Sequence, residues 1–214
     1  MVSNSVTILD YGIGNILSVS RGFEAIGAKV ILASNIEGIY DAERLILPGV
    51  GAFAKGIEQL KKYNFDEAII YVANHGKPLL GICLGMQFLM DSSEEFGNTN
   101  GLGLIPGKVI PIPPQDIAGE SLIVPHIGWN ALETSFNKSW DNTLLANTPL
   151  KSNVYFVHSF FSKPNDDNHL LAHCIYGGND LSAVISKDNV MGCQFHPEKS
   201  GEIGLNILKT FLSI

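Results

Sequence analysis

The stretch KPLLGICLGMQFLMD, residues 77–91, decides how this chain is read. Its 78–82 segment (PLLGI) is a near-continuous apolar run, the mark of a strand buried on both faces. Residues 84–91 then read as a helix, so strand passes into helix across Gly81-Ile82-Cys83-Leu84-Gly85 with no room for a loop. Toward the N-terminus the same alternation repeats. Residues 5–10 (SVTILD) form a short apolar run closed by Gly-Ile-Gly, and 15–26 carry helical spacing at Ile16, Val19, Phe23 and Ile26 before Gly27 ends them. Lys29–Ala33 and 44–47 read as two more strands, the latter stopped by Pro48-Gly49, and helices follow at about 54–62 and 66–74. Strands alternating with helices predict a mostly parallel central sheet flanked by helices.

Beyond Gly101 the pattern changes. Proline stands at 106, 111, 113, 114 and 125, and strand-like runs at 154–159, 170–175, 182–186 and 190–195 are separated by the turn pairs Gly177-Gly178 and Asp188-Asn189. Residues 201–214 read as a closing amphipathic helix. The proline-rich 106–125 reads as a long connection within one domain, and with no repeat or low-complexity linker the whole of 1–214 is taken as a single domain.

Composition bounds the partners. Hydrophobic residues make up 45% and charged residues 16%, enough for a buried core. A net charge of −7 argues against nucleic acid or an anionic membrane surface, which both reward a basic face. Three cysteines, at 83, 174 and 193, lack the count for a disulfide framework and the spacing for a zinc site. Cys174 and Cys193 lie in strand-like runs and read as small buried hydrophobes. The start, MVSNSVTILDYGIGN, lacks the basic and apolar regions of a signal peptide, and no apolar run is long enough to span a membrane, so the expected location is the cytoplasm.

The turn at Cys83 has the form of a nucleophile elbow, with Cys where hydrolases place Ser. Glycines two before and two after leave space for a strained turn and close helix packing. The helix N-terminus favours negative charge on the sulfur, and the Leu84 N–H would face a developing oxyanion. The elbow alone fits a buried structural cysteine equally well. Near the other end, Gln194-Phe195-His196-Pro197-Glu198 supplies a second signal. Read as extended chain, residues two apart share a side, so Glu198 can reach the His196 imidazole while Pro197 stiffens the pair. A base with a carboxylate to fix its tautomer is what a thiol nucleophile needs. His-Pro-Glu alone would read as a surface turn; with the elbow it reads as chemistry.

GICLGMQ with a distal HPE resembles the class I glutamine amidotransferases, an α/β, flavodoxin-like family. The segments DYGIGN (10–15), LPGVGAF (47–53), PHIGWN (125–130), YFVHSF (155–160) and QFHPEKS (194–200) narrow the resemblance. They are similar to the branch whose members feed ammonia to a (β/α)8-barrel cyclase that makes imidazole glycerol phosphate. The resemblance implies glutamine as substrate, a Cys83-His196-Glu198 triad, and neither metal nor organic cofactor. It implies an oxyanion strand at Pro48-Gly49-Val50-Gly51, where a peptide flip near Val50 turns an N–H inward and glycine makes the flip sterically cheap. It implies glutamine contacts from Gln87, one helical turn after Cys83, from Glu95, and from the backbone at Ser159 and Phe160, where the family often has Tyr. Asn15, Arg21, Trp129, Tyr155 and Lys199 match positions at or near the partner interface. On the residues alone, a solvated surface lysine is the better reading of Lys199.

Three alternatives stay in view. A paralogue could supply a different synthase, such as one amidating a surface-polysaccharide sugar. A purely scaffolding role would leave the triad unused, and a cysteine peptidase would leave Gln87 and PGVG without a role. Other groups have plainer readings. Gly12-x-Gly14 is followed by Leu17, so the third glycine of a dinucleotide loop is missing. His126, His158, His169 and His173 show no metal-ligand spacing, and His126 and His158 are expected to hydrogen-bond within the fold. Met86 and Met90 read as core or interface packing.

Overall fold

A computed structural model describes residues 4–136 and 138–214; the first three residues of the N-terminal stretch discussed above lie outside it. The N-terminal half runs β1 (Ser5–Leu9), α1 (Ile16–Ala25), β2 (Lys29–Ala33), α2 (Ile36–Tyr40), β3 (Leu45–Gly49), α3 (Phe53–Lys62), α4 (Phe65–Asn74), β4 (Leu79–Cys83) and α5 (Leu84–Phe88). Asn15 caps α1 by accepting from the Ser18 N–H, as a short polar side chain at an N-cap does. Next come β5 (Ser92–Ser93), β6 (Thr99–Asn100), β7 (Gly107–Pro111), β8 (His126–Ala131), β9 (Glu133–Thr134), β10 (Asn153–His158) and β11 (Phe160–Pro164). The chain closes with β12 (Leu170–Tyr176), β13 (Asn179–Lys187), β14 (Val190–Cys193), a 3-10 turn at Pro197–Lys199, and α6 (Gly201–Leu212).

Eight strands form the central sheet in the order β2-β1-β3-β4-β14-β13-β12-β9. From β2 to β14 every pairing is parallel; β13, β12 and β9 add an antiparallel edge. The expected mostly parallel sheet is present, and its inner strands β1, β3 and β4 are apolar on both faces. Val6, Ile8, Ile46, Leu80 and Ile82 pack with Phe23 of α1 and Ile207 and Phe211 of α6. Leu9, Leu45, Leu47 and Leu79 point the other way, onto Ile57 and Leu60 of α3 and Ile69 and Val72 of α4. Each such side chain contributes roughly 1.5–3 kcal/mol on burial. This alternation between two cores is why 78–82 reads as unbroken hydrophobicity.

Two expectations need correction. The helix after Cys83 stops at Phe88, not Asp91, because the chain turns there and the Asp91 N–H bonds the Gly107 carbonyl. The proline-rich 106–125 is not wholly a connection: Gly107–Pro111 is a strand, with Pro111 at its end and Pro106 just outside, where their missing donors break no ladder. It pairs antiparallel with β11 in a second, four-stranded sheet. A separate two-stranded ribbon, β8 with β10, lies over the carboxyl end of the main sheet and supplies residues to the cleft described next.

Candidate active site

β3 and β4 run in parallel register with Gly49 beside Cys83. Cys83 ends β4 and caps α5 with φ 56° and ψ −112°, a backbone state costing about 1–3 kcal/mol for a residue with a Cβ. It persists because three glycines bring backbone against backbone. A Cβ on Gly85 would lie 1.8 Å from the Leu47 carbonyl oxygen, and one on Gly81 2.5 Å from the Gly85 carbonyl oxygen. A Cβ on Gly49 would come within 2.8 Å of the Gly85 nitrogen, so close packing requires glycine there whatever the adjoining peptide does. Gly85→Ala is therefore expected to cost more than about 4 kcal/mol, since backbone atoms cannot yield as a side-chain tip does. Thermal unfolding checks it: a melting temperature within a few degrees of the parent would contradict the contact.

His196 and Glu198 meet, but not as extended chain. His196 is followed by the 3-10 turn Pro197–Lys199, whose φ proline already matches. The turn brings Glu198 Oε1 to 2.8 Å from His196 Nδ1. The backbone is held on both sides: the His196 N–H donates to the Tyr155 carbonyl at 3.0 Å, and Ser200 Oγ donates to the His196 carbonyl at 2.7 Å. The Glu198 side chain is 0% exposed and its Oε2 has no partner among the described residues. Burial alone would lower the His196 pKa. Hydrogen bonding with Cys83 and Glu198, together with their negative charge, outweighs burial and lifts it to about 9.

Cys83 and His196 open on a cleft of about 420 Å³. The structure brings most of the candidate residues to its walls: Val50, Gly51, Leu84, Gln87, Glu95, Ser159 and Phe160. Gly49 and Glu198 lie behind the wall. Of the five interface candidates, Asn15 and Lys199 reach the cleft mouth. Trp129 and Tyr155 stand outside it, paired edge to face across β8 and β10 with ring centroids 6.1 Å apart, and Arg21 is exposed on α1. Glu95 accepts from the Phe53 N–H at the start of α3 at 2.5 Å. Gln87 Nε2 donates to the Phe160 carbonyl and to Gln194 Oε1, both at 3.0 Å.

Sequence reasoning missed Gln194 and Tyr11, and His158 makes the hydrogen bonds within the fold that were expected of it. Gln194 Nε2 lies 3.8 Å from Cys83 Sγ, and Tyr11 donates its hydroxyl to the Pro48 carbonyl at 2.8 Å. Burial, and after it the charge of Cys83, push the Tyr11 hydroxyl pKa up. The only signal for either was its presence inside a quoted motif. Cys174 and Cys193 are buried, and burial pushes both thiols up, Cys174 to about 12. Met86 and Met90 are core residues. Among the described residues no group of His, Cys, Asp or Glu is placed to hold a metal ion, and no helix is long and apolar enough to cross a membrane.

The family model for "Glutamine amidotransferase class-I" matches residues 7–213. The imidazole glycerol phosphate synthase subunit HisH 1 of Legionella pneumophila (strain Lens) is 52% identical over 212 residues, covering 99% of this chain and 100% of its own. HisH of Geobacter sulfurreducens is 43% identical over 207 residues, covering 96% of this chain and 97% of its own. Among solved structures, a glutamine amidotransferase superposes with TM-score 0.72 at 16% identity, covering 98% of this chain and 99% of its own. A chain of PurLQS from Thermotoga maritima gives TM-score 0.70 at 20% identity, covering 100% and 99%. At such identities the two structures speak for the fold alone.

Proposed function

This chain belongs to the class I glutamine amidotransferase family, and from that premise we propose that it is the glutaminase subunit of an imidazole glycerol phosphate synthase in histidine biosynthesis. One observation carries the reading: Cys83 and His196 open on one cleft, and the His196 imidazole is fixed from behind by Glu198, whose side chain is wholly buried. Relatives alike over nearly the full chain carry that subunit's name, which favours this synthase over one that amidates a sugar.

In this reading Cys83 Sγ attacks the side-chain amide carbon of glutamine. Glu198 accepts from His196 Nδ1–H, which leaves Nε2 to give its proton to the departing ammonia. Water then attacks the thioester with His196 as base, releasing glutamate and restoring the thiol. The Leu84 N–H and the peptide around Gly49, Val50 and Gly51 are the oxyanion donors. Glu95 faces the substrate ammonium, since a carboxylate bonded to one N–H retains accepting capacity. Both Gln87 amide hydrogens are engaged, so its Oε1 is the group left for that ammonium. The Ser159 carbonyl accepts from Ile112 and the Phe160 carbonyl is also occupied, so the backbone there suits the substrate carboxylate through N–H groups. The free thiols fit a reducing cytoplasm.

The ammonia acceptor is a (β/α)8-barrel cyclase docked near Asn15, Arg21, Trp129, Tyr155 and Lys199. A free glutaminase would waste glutamine, so the isolated chain is expected to be nearly inactive and to gain about 10²–10³-fold on binding the cyclase with its nucleotide ligand, the worth of one oxyanion donor. Glutamine turnover by the subunit alone, with cyclase, and with cyclase plus ligand tests this. Equal rates in all three would remove the switch and leave the glutaminase. Stimulation by a sugar-modifying synthase alone would reassign the partner.

A further inference from the structure

His126 and His158 are buried and take no part in the chemistry above. They are register partners across the β8–β10 ribbon, with His126 Nδ1 3.0 Å from His158 Nε2. On the other side of its ring, His158 Nδ1 lies 2.9 Å from the Phe160 carbonyl oxygen. A carbonyl only accepts, and that fixes the remaining protons. His158 carries its hydrogen on Nδ1, so its Nε2 accepts and His126 Nδ1 must donate. His126 Nε2 is then the acceptor, 3.5 Å from Asn130 Nδ2. The Phe160 oxygen takes its second hydrogen bond from Gln87, which also donates to Gln194, and Gln194 reaches Cys83 Sγ. Along one chain, donation thus runs from Asn130 on the ribbon to the Phe160 carbonyl, while Gln87 donates both to that same carbonyl and through Gln194 to the nucleophile.

The chain requires both imidazoles to be neutral, because a second proton on His158 would set donor against donor. Burial provides this. It lowers His126 to about 4, and it lowers His158 to about 3 despite the opposing hydrogen bond that His158 donates to the Phe160 carbonyl. The same ribbon holds the base: the Tyr155 carbonyl accepts the His196 N–H, and the Tyr155 N–H donates to Ser200 Oγ at 3.0 Å.

We propose that His158, with its tautomer set by His126, is a positioning residue for glutamine hydrolysis. By donating to the Phe160 carbonyl it fixes the carboxamide pair Gln87–Gln194 against Cys83. This deepens the glutaminase reading and rests on it. The natural chain differs from a merely packed one in a testable way. Asparagine places an N–H close to where His158 has Nδ1, whereas leucine fills similar space without a donor.

In complex with the cyclase, H158L is expected to raise the KM for glutamine about tenfold and to lower kcat/KM about 10- to 100-fold, the scale of a buried polar network that loses a member, with the Phe160 carbonyl left to Gln87 alone and His126 Nδ1–H without its acceptor. H158N should restore most of the loss. A packing role alone would lower the melting temperature of both variants with KM unchanged, and asparagine would be no better than leucine; that result overturns the proposal. Wild-type turnover is the control: no glutamate from glutamine would fail the glutaminase reading itself, whereas wild-type turnover matched by H158L fails only the relay. Imidazole ¹⁵N NMR of the wild-type chain needs no variant. Hydrogen on Nδ1 and a bare Nε2 in both rings, unchanged from pH 8 to about 5.5, is expected; an Nε2–H tautomer at His158 would refute the chain even if H158L fails to fold.

Discussion

Cys83→Ala is expected to lower glutamate release from glutamine by about 10⁴–10⁶-fold, the scale on which a catalytic unit fails without its nucleophile. Cys174 and Cys193 offer no substitute, being buried with thiols pushed up by that burial. The fold should survive, because the unusual φ of 56° belongs to the backbone and alanine inherits it at similar cost. Glycine would not: Cys83→Gly relieves the strain and should be as inactive as alanine yet about 1 kcal/mol more stable, after allowing for glycine's extra entropy. In complex with the cyclase proposed as its partner, both variants should still make product from added ammonia. Glutaminase assay, denaturant unfolding and ammonia-dependent synthesis together check this. Near-normal glutamate release from Cys83→Ala would end the mechanism, and a stability equal for glycine and alanine would end the account of the elbow.

How much of this was legible in the sequence depended on the range of the interaction. β4 was legible because both its faces are buried, and a strand between two cores writes an unbroken apolar run. Cys83 was legible because the backbone contacts at Gly81 and Gly85 forbid any side chain, leaving glycines at fixed offsets. β8 was not, since its inward positions are His126, Gly128 and Asn130 while Ile127 and Trp129 face outward, an inverted alternation. The five-residue α2 buries only Ile39, too little for a helical period to emerge. At the site, residue type and spacing named His196 and Glu198, yet the extended geometry was wrong because Pro197 opens a 3-10 turn. Gln194 could be given no role, and His158 no more than the hydrogen bond within the fold that it does make. The Gln87–Gln194 contact spans 107 residues, from α5 to the chain just past β14, and the His126–His158 contact spans 32, set by strand register.

His196→Ala should be nearly as inactive as Cys83→Ala, and the double variant little worse than either, because groups acting on one step are not additive. Multiplicative losses would mean that the two act separately. The same change should also cost stability, for a reason outside catalysis. It strips Glu198 Oε1 of its partner while Oε2 already has none among the described residues, leaving a carboxylate whose side chain is 0% exposed. Breaking one side of a buried pair costs about 3–5 kcal/mol. Neutralising the remaining partner should return much of it, so H196A/E198Q is expected to be more stable than H196A and equally inactive. The pH dependence has a definite sign. The folded pKa of His196, about 9, lies above the ordinary histidine value, so the folded state binds the proton more tightly than the unfolded chain. Its contribution to stability is complete below about pH 6.5 and is lost as pH rises through about 9. His126 and His158 do the opposite, their lowered values withdrawing stability as pH falls from about 6.5 toward 4 and below. Unfolding free energies of wild type and H196A between pH 5 and 10 should therefore converge on the alkaline side, and a gap that widens there would show that His196 is not held protonated by Cys83 and Glu198.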